Sequence, residues 1–114
     1  MRRIPGGAAG RCSAVVSGGL VYAVATDPAC ADGIAAQTQN TLEELERLLT
    51  EAGSGKNGLI QATVYLSDIS NKPAMDQVWV PWIGGPDNWP QRACVGADLD
   101  SGYLIEVVVT AALA

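Results

Sequence analysis

Residues 32–66 read DGIAAQTQNTLEELERLLTEAGSGKNGLIQATVYL, and the hydrophobic period changes once within them. Ile34, Thr38, Leu42, Leu45, Leu48/Leu49 and Ala52 recur every three or four residues, which makes one apolar stripe on a helix of about twenty residues. Asp32 is the expected N-cap and Gly53 the expected residue just past the helix end. Glu43, Glu44, Glu46, Arg47 and Glu51 fall off the stripe and form a solvated face. After the 53–58 loop the period drops to two. Ile60, Ala62, Val64 and Leu66 alternate with Gln61, Thr63, Tyr65 and Ser67, a strand with one apolar face and one mixed face. An amphipathic helix followed by such a strand calls for a sheet with helices packed on it.

Upstream, Ser13–Ser17 and Leu20–Ala25 are β-rich runs separated by Gly18-Gly19, a hairpin pattern, and Asp27-Pro28 ends the second run. Downstream, Asp68–Asn71 closes the strand and Pro73 suits the first turn of a second helix. Met75, Val78, Trp79 and Trp82 fall at helical spacing, and Pro81 is expected to kink or end that helix. Gly84–Pro90 is a loop. Gln91–Ala97 and Tyr103–Ala111 are strands joined through residues 98–102. The order is ββαβαββ: an α+β two-layer sandwich, one domain over residues 1–114, with both helices on one sheet face. Val, Tyr and Ile also populate the other face, so a second copy of the chain is the simplest cover for it.

Composition agrees. Of 114 residues, 48% are hydrophobic and only 17% charged, which excludes disorder and suits a subunit that hides apolar surface in an oligomer. The net charge is −5 and the seven Lys and Arg residues are dispersed, so no cationic stripe exists for a nucleic-acid backbone. Histidine is absent. That removes Ser-His-Asp and Cys-His catalysis, histidine-based zinc hydrolysis and histidine ribonuclease chemistry. Cys12, Cys30 and Cys94 contain no C-x-x-C pair, so neither a disulfide scaffold nor a metal site is expected, and reduced thiols suit the cytoplasm. No metal or other cofactor is expected. The start Met-Arg-Arg-Ile-Pro-Gly-Gly has no apolar core behind its charges, so no signal peptide is expected, and no apolar stretch is long enough for a membrane span.

Two charges stand alone in apolar strands: Arg92 and Glu106. Alternation puts Arg92 and Cys94 on one face of their strand, with Ala93, Val95 and Ala97 on the other, while Glu106, Val108 and Thr110 share a face of theirs. Paired as an antiparallel hairpin, these strands would bring Arg92 and Glu106 onto one face within a few residues of each other. A lone buried charge is costly, so each needs the other or a ligand. A structural ion pair and a binding site are both open at this point.

Gly19–Tyr22, Gln37–Leu42, Ala52–Ser54, Ala62–Asp68, Pro90–Val95 and Ile105–Val107 occur in the order and spacing of the RidA/YjgF family, the reactive intermediate deaminases formerly called endoribonuclease L-PSP, and the chain resembles that family from about residue 10 onward. The resemblance implies a chorismate-mutase-like homotrimer with sheets inward, helices outward and a ligand cleft at each subunit interface. It implies hydrolysis of enamines and imines such as 2-aminoacrylate and 2-iminopropanoate to 2-keto acids and ammonia. Arg92 matches the arginine that grips the substrate carboxylate, Cys94 the cleft cysteine, and Glu106 the glutamate that holds the attacking water. A guanidinium suits a carboxylate because two parallel donors meet two acceptor oxygens. The partner is then a small-molecule carboxylate, not nucleic acid or membrane.

Departures mark a divergent branch. Gly10-Arg11-Cys12-Ser13 stands where the family has Pro-Tyr-Ser-Gln, so the cleft tyrosine has no match, and Ala25-Thr26-Asp27 replaces Ser-Gly-Gln. Arg11 is a candidate second anion-binding group, and Trp89, just before the Arg92 strand, a candidate ligand contact. A non-catalytic binder of small carboxylates or keto acids is the alternative function, and a chorismate-mutase-like rearrangement a distant third.

Overall fold

In the computed structural model, which describes residues 1–114, the chain order is β1 (Arg2–Pro5), β2 (Cys12–Ser17), β3 (Leu20–Ala25), α1 (Ile34–Glu51), β4 (Leu59–Leu66), α2 (Lys72–Ile83), β5 (Gln91–Gly96) and β6 (Ile105–Ala112). One six-stranded sheet runs β1-β2-β3-β6-β4-β5. Every neighbouring pair is antiparallel except β4 and β5, which are parallel. The fold is α+β, with both helices on one face, and the molecule is only 20 Å thick along its shortest axis, the depth of two layers.

The expected order lacked β1. This edge strand pairs with β2 through only four residues, and Ile4 alone among them is buried, so it carries no alternation to read. The β2–β3 hairpin turns at Gly18 and Gly19, both at positive φ (61° and 80°), which side-chain-bearing residues disfavour.

The periodic stretch folds as its pattern requires. Leu42, Leu45, Leu48 and Leu49 are fully buried in one core cluster, with α1 lying over β3 (Val21, Ala23, Ala25) and β6 (Val107, Val109, Ala111). The α1 C-terminus closes in a Schellman motif: Ser54 N–H donates to Leu49 O (2.8 Å) and Gly53 N–H to Thr50 O (3.1 Å), with Gly53 at φ 91°. At the other end the expectation fails. Gly33, not Asp32, precedes the helix, and no side chain caps it. Ile60 also departs from the alternation: a bulge between Leu59 and Gln61 buries Leu59 and leaves Ile60 47% exposed. Pro81 lies inside α2, two residues before its end, so the donor it removes lies in the last turn.

A buried carboxylate organises the approach to α1. Asp27 accepts from Ala29 N–H (2.7 Å), Ala31 N–H (2.9 Å) and the Asn40 side-chain amide (3.1 Å). Burial pushes its carboxyl up, but these donors and Cys30 N–H outweigh that and hold it below the usual carboxylate value. A depressed folded-state pKa means that the stabilisation is complete above the unfolded value of about 3.9 and fades as pH falls through the lower folded one. Asp27→Ala strands two backbone donors and should cost about 2–4 kcal/mol. Chemical denaturation at pH 7 checks this, and the gap between the two proteins should narrow below about pH 3.9.

Candidate active site

The register separates two residues expected to meet. Arg92 pairs with Ala62 of β4, whereas Glu106 pairs with Tyr65. Residues 62 and 65 point to opposite faces of one strand, so Arg92 lies on the helix face and Glu106 on the open face. β5 and β6 are not a hairpin, because β4 runs between them. Within one chain, Arg92 and Glu106 are therefore not partners.

Arg92 instead lies beneath α2. Its Nη1 is 2.7 Å from Asp76 Oδ1, its guanidinium carbon sits 5.1 Å from the Trp79 ring centre, and Nη1 also contacts Met75 Sδ at 3.9 Å. Lys72 Nζ holds the other Asp76 oxygen at 2.9 Å. The guanidinium opens on a cavity of about 300 Å³ lined by Asp76, Trp79, Ile83, Trp89, Pro90 and Arg92. Trp89 is 60% exposed. Its indole N–H is spent on Gly84 O (2.9 Å), and Asn88 ties the same loop to Ile83 O (3.0 Å), so the ring stands fixed at the cavity wall.

Cys94 lies two residues along the same face and packs against the core. Burial is the largest influence on its thiol and raises the pKa; the nearby Arg92 charge only partly counters it. A neutral thiol is a poor nucleophile. The backbone offers more. Ala97 N–H donates to Leu66 O (2.9 Å), so by two-residue alternation Ala93 and Val95 face β4, and the N–H groups of Arg92, Cys94 and Gly96 point off the free sheet edge.

Arg11 and Glu106 share a different cavity, of about 250 Å³, where the chain enters β2 and leaves β3; Cys12, Ser13, Thr26 and Glu44 also line it. The structure thus holds two separate cavities: one with Arg92 and Asp76 at the β5 edge, and one with Arg11, Glu44 and Glu106 at the far end of β3. Asp76 is the residue that sequence reasoning missed. Its signal was the Lys72–Asp76 spacing of four, together with the placement of Met75, Asp76 and Trp79 on adjoining helix positions. Nowhere do three or more Cys, Asp or Glu side chains converge as a metal site requires. No helix is long and apolar enough to cross a membrane.

A six-stranded mixed sheet with two helices packed on one face is the α+β architecture of YjgF family structures. The comparisons make the assignment: the chain belongs to the family described as endoribonuclease L-PSP, whose sequence profile matches residues 8–113. A RutC family protein of Haemophilus ducreyi is 35% identical over 78 residues, 68% of this chain and 66% of that one. The matched stretch is just under two thirds of that relative's length. A YjgF family member from Neisseria meningitidis superposes with a TM-score of 0.89 at 30% identity, covering 99% of this chain and 94% of that one. A Mycobacterium tuberculosis member of the YjgF/YER057c/UK114 family gives 0.87 at 27% identity, over 98% of each chain.

Proposed function

We propose that the protein hydrolyses small 2-imino and enamine acids to 2-keto acids and ammonia, in clefts completed between copies of the chain. The observation that carries this reading is the Arg92 guanidinium, one fifth exposed, beside a small cavity and an edge of free N–H groups. That combination suits a carboxylate: the guanidinium supplies paired donors and the strand edge supplies a further one. Its size suits a molecule of a few heavy atoms rather than a polymer, and a net charge of −5 gives an RNA strand nothing to follow.

The chemistry asks little more. Water adds to the electrophilic C=N carbon, the nitrogen takes protons, and ammonia leaves as the carbonyl forms. Fixing the carboxylate orients that carbon, and a carboxylate near it orients water and accepts its proton. Glu106 suits that role only if a neighbouring copy presents its open face to the β5 edge, because its own chain keeps it on the other side. A trimer of about three times 11.8 kDa accounts for both needs, since it also covers the apolar open face.

The test is ammonia release from 2-iminopropanoate generated in place by an amino-acid oxidase. Wild type should accelerate it, and Glu106→Gln should lower kcat by about 100-fold, the usual worth of a general base. Pyruvate binding without any acceleration would instead make the protein a non-catalytic carboxylate binder.

A further inference from the structure

Arg92 is not a free cation in this fold. Lys72, Asp76 and Arg92 form a row of plus, minus and plus, with contacts of 2.9 Å and 2.7 Å. The Asp76 carboxylate stays ionised at neutral pH. Burial opposes its charge, but the guanidinium and the ammonium beside it more than compensate. Its buried Oδ1 lies 2.7 Å from Nη1, which also contacts Met75 Sδ at 3.9 Å; Nε and Nη2 make no bond within the chain and are left for a ligand. The cavity wall holds no charged residue besides Asp76 and Arg92.

The row therefore carries a net charge of +1. We propose that Asp76 is a specificity-determining residue: a built-in counter-ion that matches the Arg92 clamp to substrates with a single carboxylate and disfavours dicarboxylic or phosphorylated acids. This rests on the reading that Arg92 holds the substrate carboxylate. The physical basis is charge matching at close range. One substrate carboxylate completes the neutralisation of two cations that Asp76 leaves half done, and a second negative charge finds Asp76 instead of a partner. Within one chain Arg11 and Glu106 share the other cavity, so a neighbouring copy that brings Glu106 to the cleft brings Arg11 with it, and these two opposite charges leave the count of the row unchanged. Asp76 also braces the guanidinium from behind, with Trp79 against its face, so its charge and its shape have separable effects.

Titration calorimetry with pyruvate and 2-oxoglutarate, the mono- and dicarboxylate forms of one headgroup, tests this on wild type, Asp76→Asn and Lys72→Gln. Wild type should prefer pyruvate. Asp76→Asn keeps the shape and takes the row to +2, so the preference should move at least tenfold toward 2-oxoglutarate. Lys72→Gln takes it to zero at an exposed position and should weaken both ligands, 2-oxoglutarate more. A preference unchanged within twofold in Asp76→Asn, or moved toward pyruvate, overturns the assignment. Should Asp76→Asn not fold, Lys72→Gln decides alone, and an unchanged preference there overturns it equally. Wild type that binds pyruvate with unmoved variants defeats only the role of Asp76. Wild type that binds no pyruvate defeats the carboxylate reading of Arg92 and this inference with it.

Discussion

Arg92→Ala is expected to lower kcat/KM for imine hydrolysis by about 100- to 1,000-fold while the protein stays folded. Two charge-assisted hydrogen bonds to a carboxylate account for that loss, at about 3–4 kcal/mol together. The stability cost is smaller, because Asp76 keeps Lys72 as a partner and is itself partly solvated. Losing the Arg92 ion pair and its stacking on Trp79 should cost about 1–2 kcal/mol, a fall of several degrees in Tm. Arg92→Lys restores a positive charge beside Asp76 and should recover most of that stability. It should stay at least about tenfold down in activity, because an ammonium cannot meet a carboxylate with two fixed prongs. Melting curves and steady-state rates on the three proteins separate the accounts. A collapse in Tm with activity retained in the folded fraction would make Arg92 a structural residue. A normal melting curve with unchanged activity would remove it from the site.

How much of this was legible beforehand depends on what sequence periodicity encodes. It encodes which residues of one element share a face. The α1 stripe, the β4 alternation from Ala62 to Leu66 and the grouping of Arg92 with Cys94 follow from it and hold in the fold, whereas the bulge before Gln61, which periodicity does not announce, turns Ile60 out. Periodicity is silent about which strand lies beside which. Pairing of consecutive strands would put Arg92 and Glu106 on one face, but the helix between β4 and β5 makes those two strands parallel neighbours and leaves β4 between β5 and β6. Asp76 was missed for a related reason: on a helix surface a carboxylate four residues from a lysine reads as an ordinary solvated pair, and only the position of α2 over β5 makes it the neighbour of Arg92. The Gln37–Leu42 segment shows the opposite case. It carries part of the family resemblance, and its Gln37 is a structural clasp. Its amide donates to Ala31 O and Gly102 O and accepts from Leu104 N–H, so it ties the β5–β6 connection to the start of α1.

A charge on the open face should have the second large effect. Val108 sits mid-strand in β6, between Val24 of β3 and Thr63 of β4, and is 39% exposed in the single chain. Tyr22 and Val95 on the same face are similarly open, at 46% and 41%. A monomer has no reason to keep such a surface dry, whereas a trimer with sheets inward buries it. Val108→Asp leaves the helix-side core untouched, so within one chain it should cost no more than about 1 kcal/mol of strand preference. Within a trimer it would bring three carboxylates together near the axis, each desolvated and repelled by the others, at several kcal/mol per copy. The expected outcome is a folded monomer near 11.8 kDa by light scattering, where wild type gives about three times that. Activity should disappear with the trimer, although neither Arg92 nor Glu106 is altered, because the two lie on opposite faces of one chain and only a neighbouring copy can bring them to one cleft. A wild type that is monomeric at micromolar concentration would defeat the shared cleft outright. A Val108→Asp monomer with full activity would show that one chain suffices, and would shift the proton-accepting role from Glu106 to the helix side of the sheet, where Asp76 is the nearest carboxylate to Arg92.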